Sequence, residues 1–148
     1  MKIELLEINE ENREECLALK AAPSQAEFIA SNEKSLWQAE EAAGVARPYA
    51  IYADGEMIGF TMFAFDHEEE PGQKYWLWRF MIDEKFQGKG YGRYALREIL
   101  KYFREHGADT MTLSTKASNT RALSLYHQFG FWETGEENDG EIVLKLCL

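Results

Sequence analysis

A glycine-rich turn between a predicted strand and a predicted helix constrains this chain more than any other feature. The segment Asp83–Arg93 has the sequence Asp-Glu-Lys-Phe-Gln-Gly-Lys-Gly-Tyr-Gly-Arg, in which three glycines alternate with larger residues. The preceding Tyr75–Ile82 is rich in aromatic residues, as strands often are, and apolar residues recur at helical spacing from Tyr94 to Phe103. A strand that passes through such a turn into an amphipathic helix requires a domain in which a sheet and a helix share one core.

The turn has the properties of an anion-binding site. Gly88, Gly90 and Gly92 have no side chains that would keep a ligand away from the backbone. The first amides of the following helix lack intrahelical acceptors, and the helix dipole adds partial positive charge at the same place. The sequence therefore predicts that the turn binds a pyrophosphate group.

Two well-known phosphate-binding motifs, the Walker A loop and the dinucleotide fingerprint, do not match the turn and its surroundings in full. A Walker A loop needs a Gly-Lys-Ser or Gly-Lys-Thr triplet, which the segment lacks. The stretch from Gly90 to Ala95 matches the dinucleotide fingerprint G-x-G-x-x-A, with Asp109 about twenty residues further on. However, Asp109 precedes the next predicted strand, whereas the acid that binds ribose should stand at the end of that strand. A plain turn without a ligand is the remaining alternative.

The rest of the chain predicts one mixed α/β domain over residues 1–148. Four helices are predicted: Asn9 to about Lys20, Pro23 to about Ala43, the helix that follows the glycine turn and ends at His106-Gly107, and Asn119 to Phe129. The second of them starts with a Ser24–Glu27 capping box. The predicted strands are Lys2–Ile8, Arg47–Ala53, Glu56–Phe65, Tyr75–Ile82, Thr110–Thr115, Phe131–Gly135 and Glu141–Cys147. The order β-α-α-β-β-β-α-β-α-β-β indicates an α/β, or α+β, domain of three layers around one mixed sheet.

The overall charge narrows the classes of partner. The chain carries a formal net charge of −10 over 148 residues. It therefore repels phosphate backbones, and a nucleic-acid partner is not expected. The acidity serves solubility or attracts small cationic substrates.

The cysteines and the apolar pattern bear on the compartment. Cys16 and Cys147 lie near opposite ends of the chain without metal-like or redox-like spacing, so we expect two reduced thiols, a cytoplasmic protein and no metal site. The N-terminal segment is acidic from the start and has no long apolar run, which argues against a signal peptide. No stretch approaches the roughly 20 apolar residues of a membrane span, so no membrane partner is expected.

A second motif follows the strand Thr110–Thr115. It has the sequence Asn-Thr-Arg-Ala-Leu-Ser-Leu-Tyr-His-Gln-Phe-Gly-Phe and begins at Asn119. Residues seven apart in a helix are nearly two turns apart, so Asn119 and Tyr126 share a face. The small Ala122 near that face leaves room for a thin ligand. Taken alone, the motif is also consistent with a core tyrosine whose hydroxyl lies at the rim.

Together the two motifs resemble those of the GNAT superfamily of N-acetyltransferases. Gln87–Gly92 fits Gln/Arg-x-x-Gly-x-Gly/Ala, and Asn119–Phe131 fits N-x-x-A-x-x-L-Y-x-x-x-G-F. The resemblance covers nearly the whole chain and implies a GNAT fold with a mostly antiparallel central sheet. It also implies acetyl transfer from acetyl-coenzyme A to an amine, a catalytic role for Tyr126 beside the thioester sulfur, and a homodimer as one expected assembly. The cofactor contacts that it implies are Phe80, Met81, Ile82, Gln87, Gly88, Lys89, Gly90, Tyr91, Gly92, Arg93, Asn119 and Tyr126.

The first half of the chain is similar to bacterial spermine/spermidine acetyltransferases of this superfamily. The similarity lies in Gln25–Ala39 and Trp76–Asp83, and it implies a polyamine acceptor. Other amine acceptors (an amino acid, an antibiotic, a protein N-terminus) and a coenzyme A-binding module without activity are the alternatives.

The chain departs from such enzymes at the position where many carry an acid on the strand before the glycine motif, because Trp78 stands there. A water chain to an acid such as Glu33 or Glu68 is one route by which the amine could lose its proton, and the sequence singles out neither residue. Trp76 and Trp78 share strand parity and therefore either line a substrate pocket together or belong to the core.

Overall fold

The computed structural model describes residues 1–28 and 30–148, apart from the side chain of Glu27. Ile29, which belongs to the Gln25–Ala39 similarity, lies outside the described residues. The described strands are β1 (Ile3–Glu7), β2 (Ala46–Ala53), β3 (Glu56–Phe65), β4 (Tyr75–Ile82), β5 (Thr110–Thr115), β6 (Trp132–Asn138) and β7 (Glu141–Cys147). The α-helices are α1 (Arg13–Ala18), α2 (Asn32–Glu41), α3 (Tyr91–Glu105) and α4 (Thr120–Gln128), and short 3-10 helices cover Ala26–Phe28 and Glu84–Phe86.

In the described part of the chain, the seven strands form one sheet in the order β1-β2-β3-β4-β5-β7-β6. β4 and β5 are parallel, and every other neighbouring pair is antiparallel. β3 lies inside the sheet and is buried along its whole length after its first residue. The mixed sheet predicted from the element order and the mostly antiparallel arrangement implied by the family resemblance are therefore both confirmed.

Helices cover both faces of the sheet. On one face, α3 buries Leu96, Ile99 and Phe103 in a cluster that includes Phe63 of β3 and Leu113 of β5. On the other face, a second cluster contains Cys16 of α1 and Leu36 of α2, together with Phe60 and Met62 of β3. Successive residues of a strand point to opposite faces, so β3 supplies both clusters. This arrangement confirms the three predicted layers.

The second helix differs from its prediction as one continuous element from Pro23 to Ala43. Ser24 lies in a turn, and α2 begins at Asn32 after Ser31, which has extended backbone and accepts a hydrogen bond from the amide of Lys34 at 3.2 Å. The side chain of Asn32 donates to the carbonyl oxygen of Cys16 at 2.8 Å. This buried contact ties the start of α2, which the Ser31 cap marks, to α1, and a helical pattern in the sequence does not contain such a contact.

The first helix is also shorter than predicted, because α1 begins at Arg13 rather than near Asn9. Asn9 and Asn12 account for the delay. The amide of Asn9 donates to Oδ1 of Asn12 at 2.8 Å, and the amide of Asn12 donates to Oδ1 of Asn9 at 3.1 Å. Asparagine side chains compete in this way with helical hydrogen bonds. Within the described residues, none of the helices combines the length and the apolar character that a membrane crossing requires.

Candidate active site

The sheet opens between β4 and β5. Over their described lengths the two parallel strands pair at one position, Trp76 with Thr112. Beyond that position they diverge, and residues of both strands from Leu77 and Leu113 onward line a cavity of about 430 Å³. We call this space the acceptor-side cavity. A divergence of this kind leaves backbone groups of both strands without a neighbouring strand, so they are available to a ligand.

A β-bulge in β4 shapes this cavity. Met62 of β3 pairs with Arg79, and Phe63 pairs with Leu77, so Trp78 is an extra residue on β4. A bulge bends a strand and redirects its side chains. Trp76 and Trp78 are both half-buried and both line the acceptor-side cavity. The prediction that they share a side agrees with this placement, and Trp78 also packs against the cluster beneath α1 and α2.

The glycine turn borders a second cavity of about 260 Å³, which we call the turn cavity. Gly88 and Gly90 have φ angles of +74° and +85°, a region that favours glycine, and Gly90 caps α3 without a side-chain hydrogen bond. None of the backbone amides of residues 88–93 donates a hydrogen bond to an acceptor in the described part of the chain. Six consecutive free amides at a helix N-terminus fit an anionic ligand such as a pyrophosphate.

Most of the residues that the resemblance assigned to the cofactor lie together at the turn cavity. Its described lining includes Phe80, Met81, Ile82, Gln87, Gly88, Gly90, Tyr91, Gly92, Arg93 and Tyr126. Gln87 donates to the carbonyl oxygen of Ile82 at 2.8 Å, so its amide group ties the turn to the end of β4. Arg93 is hydrogen-bonded to Gln128 of α4, which joins the two motif helices.

Other predicted residues lie elsewhere. Lys89 is exposed and does not belong to the described lining of either cavity. Asn119 lines the acceptor-side cavity, where its side chain caps α4 by accepting from the amide of Ala122 at 3.4 Å. Glu33 and Glu68 are exposed, and the described lining of both cavities lacks them. The structure therefore does not bring these two carboxylates to the other site residues.

Tyr126 lies where the two cavities adjoin. It lines both of them, as do Gln25, Phe80 and Ala122. The residue is only 8% exposed, and its ring packs edge-on against Phe131 with the ring centroids 5.5 Å apart. Its hydroxyl makes no hydrogen bond with any residue that the structure describes. Burial raises the pKa of Tyr126 far above its ordinary value, so the hydroxyl stays protonated and can donate a hydrogen bond to a ligand.

The sequence analysis assigned no site role to the three charged residues in the described lining of the acceptor-side cavity, which are Arg79, Asp139 and Glu141. Arg79 donates hydrogen bonds to Ser35 at 3.1 Å, to Gln38 at 2.6 Å and to the carbonyl oxygen of Trp78 at 2.9 Å. Glu141, the first residue of β7, accepts a hydrogen bond from Ser114 of β5 at 2.8 Å. Burial lowers the pKa of Arg79, and the nearby charge of Glu141 partly opposes that shift.

The sequence contained little to indicate that Glu141 belongs to the site. This residue directly follows the turn Asp139-Gly140, so the sequence placed it at the start of a predicted strand. Nothing in the sequence showed that this strand pairs with β5, where Thr115 lies opposite Ile142. As for metals, the described residues contain no group of three or more His, Cys, Asp or Glu side chains arranged to hold an ion.

The acetyltransferase (GNAT) family is matched by residues 5–131 of the chain. This chain belongs to the GNAT acetyltransferase family. A spermine/spermidine N(1)-acetyltransferase of Bacillus subtilis is 32% identical to it over 97% of either chain. An alanine N-acetyltransferase of ribosomal protein bS18 from Salmonella typhimurium is 35% identical over 56% of this chain and 53% of its own length.

Solved structures show the same fold. The PaiA N-acetyltransferase of Thermoplasma acidophilum, solved in complex with coenzyme A, superposes on this GNAT acetyltransferase with a TM-score of 0.71 over 100% of both chains, at 19% identity. The predicted fold and enzyme class are thus confirmed: the chain is an N-acetyltransferase that transfers an acetyl group to an amine.

Proposed function

We propose that this GNAT acetyltransferase transfers the acetyl group of acetyl-coenzyme A to a primary amine of a polyamine such as spermine or spermidine. The observation that carries the proposal is the position of Tyr126, which lines both the turn cavity and the acceptor-side cavity. Two adjoining cavities with a buried hydrogen-bond donor between them suit a direct reaction between two bound substrates in a ternary complex.

The turn cavity is the proposed binding site for the coenzyme. The free amides of residues 88–93 suit its pyrophosphate, and Arg93 and Arg121 in the same lining add positive charge. Phe80, Met81 and Ile82 at the end of β4 line the path from the turn toward Tyr126, which suits the narrow pantetheine arm. The coenzyme A complex of the Thermoplasma acidophilum neighbour supports this assignment through the shared fold.

Tyr126 is proposed to stabilise the leaving thiolate by donating a hydrogen bond. With ordinary pKa values of about 10 for tyrosine and about 8.5 for a thiol, moving the proton to the thiolate is already uphill by roughly 2 kcal/mol. Burial raises the pKa of Tyr126 further, which makes full transfer still less favourable. A donor that keeps its proton therefore fits this site better than a general acid does. The acceptor attacks as the neutral amine, and the proton that its nitrogen loses after the attack becomes the proton of the product thiol.

The acceptor-side cavity is proposed to bind the amine. Trp76 and Trp78 in its lining offer aromatic faces to an ammonium group. The net charge of −10 attracts cationic substrates to the protein. The spermine/spermidine acetyltransferase of Bacillus subtilis supports a polyamine as the acceptor.

The test is thiol release from acetyl-coenzyme A, followed with a thiol-reactive dye in the presence of spermidine, spermine or other amines. Cys147 is exposed and would react with the dye, whereas Cys16 is buried and burial raises its pKa to about 11. A Cys147→Ser variant therefore removes the protein's own background. Saturable release with spermidine and spermine is the expected result.

Two other results would contradict parts of the proposal. Release with a peptide that begins with alanine, but not with polyamines, would replace the acceptor by a protein N-terminus and keep the enzyme class. Tight binding of acetyl-coenzyme A without release for any amine would indicate a binding module instead of an active enzyme.

A further inference from the structure

Glu141 is a charged side chain of the acceptor-side cavity that the proposed chemistry has not used. It is half-buried at the start of β7, and one carboxylate oxygen accepts the hydroxyl of Ser114 at 2.8 Å. No Lys, Arg or His of the described residues lies within 4.0 Å of the carboxylate. A carboxylate that lacks a cation at ion-pair distance is free to pair with a cationic group of a ligand.

The cationic side chain in the described lining of this cavity is already engaged elsewhere. Arg79 directs its three hydrogen bonds to Ser35, Gln38 and the backbone of Trp78, and it forms no ion pair with Glu141 within 4.0 Å in the described structure. Its guanidinium holds α2 against β4 and leaves the carboxylate of Glu141 open to the cavity.

The position of Glu141 relative to the junction matters for its role. Tyr126 lines both cavities, whereas the described lining of the turn cavity does not include Glu141. The carboxylate therefore lines the acceptor-side cavity and not the turn cavity proposed for the coenzyme. A cation bound to Glu141 would occupy the acceptor half of the site.

We propose that Glu141, held by Ser114, binds a non-reacting ammonium group of the acceptor and thereby selects diamines and polyamines over monoamines. This inference rests on the proposed function, because it assigns a residue to the acceptor half of that site. A second positive charge on the substrate strengthens its binding because that charge forms a charge-assisted hydrogen bond with the carboxylate of Glu141.

The main experiment measures spermidine binding by isothermal titration calorimetry to protein saturated with coenzyme A. Glu141→Gln removes the charge and keeps an oxygen that can accept the Ser114 hydroxyl. Glu137→Gln is the matched control, because Glu137 lies exposed in the same hairpin outside the described cavity linings. The dissociation constant should rise about tenfold or more in Glu141→Gln and no more than about twofold in the control.

A second experiment tests selectivity during turnover. The wild-type enzyme should have a higher kcat/KM for 1,3-diaminopropane than for propylamine, and Glu141→Gln should lose most of that preference through KM rather than kcat. A structural role alone would instead lower the rates with both amines together.

The outcomes separate this inference from the proposed function. Equal spermidine binding by the wild type and Glu141→Gln would overturn the inference, and so would a wild type that does not bind spermidine. A wild type that shows the binding difference but releases no thiol with any amine would overturn the proposed reaction and leave the ammonium site standing.

Discussion

The two edges of β4 differ in how far they are paired with a neighbouring strand. On one edge, β4 pairs with β3 from Tyr75 opposite Phe65 to Ile82 opposite Gly59, interrupted by the bulge at Trp78. On the other edge, its described contact with β5 in the sheet is the single pair of Trp76 and Thr112. The same strand is thus paired along its length at one edge, apart from the bulge, and lines a ligand cavity at the other. The paired edge holds β4 in place, and β4 in turn positions the residues that line the cavity.

The apolar core explains how the sheet tolerates this opening. Leu77 of β4 and Leu113 of β5 belong to one buried cluster beneath α3, together with Leu96 and Ile99. β5 is also paired with β7 along its whole length, from Thr110 to Thr115. The two halves of the sheet are therefore joined by side chains on the α3 face as well as by the single strand pair of Trp76 and Thr112, and the gap beyond that pair needs no strand to fill it.

The largest effect is expected at the closed edge. A Cβ atom at Gly59 would collide with the carbonyl oxygen of Met81 and lie 3.2 Å from Cα of Ile82. Gly59→Ala should lower the free energy of unfolding by about 3 kcal/mol, measured by denaturant titration, because backbone atoms cannot move away as side chains do. Gly55→Ala, with no atom within 4 Å but φ +86°, should cost about 1 kcal/mol. Equal losses would show that the closed edge is looser than its pairing indicates.

The next effect is expected at the junction in the open edge. Tyr126→Phe removes the hydroxyl and keeps the ring against Phe131. It should lower kcat about 100-fold, or about 2.7 kcal/mol, while the Kd for acetyl-coenzyme A changes little. Tyr94→Phe makes the same chemical change at an exposed site on α3 and should leave kcat unchanged. An unaltered kcat in Tyr126→Phe would remove its proposed role.

A smaller effect is expected at the glycine turn. Gly90 and Gly107 both have φ +85°, but Gly90 lines the turn cavity and Gly107 ends α3 outside the described linings. Alanine at either position should destabilise the fold by about 1 kcal/mol. Gly90→Ala should in addition weaken acetyl-coenzyme A binding about tenfold, measured by calorimetry. A matching loss of affinity in Gly107→Ala would point to a general effect on α3.

The smallest effect concerns alkaline pH. Because burial raises the pKa of Tyr126, the folded protein keeps the phenol proton above pH 10, where the unfolded chain loses it. The unfolded state then binds fewer protons, so the free energy of unfolding falls as the pH rises. At about pH 10.5 the wild type should lose about 0.8 kcal/mol more than Tyr126→Phe does, relative to pH 8. Parallel stability curves for the two proteins would contradict the burial of this hydroxyl.

Local patterns in the sequence determined much of this protein. The bounds of β3, β4, β5 and β7 match the prediction, and Asp54-Gly55 and Asp139-Gly140 have the positive φ angles expected of tight turns. These features depend on alternation over a few residues and on turn chemistry, both of which are local. The glycine turn is equally local, so its alternating glycines and the helix that follows them were enough to predict it.

Tertiary structure decided the bulge at Trp78 and the place of Glu141, and it anchors the start of α2, which the local cap at Ser31 also marks. α2 starts where Asn32 contacts α1, sixteen residues earlier in the chain at Cys16. Glu141 enters the acceptor-side cavity because β7 pairs with β5, and its partner Ser114 lies 27 residues away. Contacts between distant segments depend on strand order and register, which periodicity does not contain. The sequence by itself thus determined the glycine turn and the two motif helices. The packing of distant segments decided which charged side chains line the acceptor-side cavity.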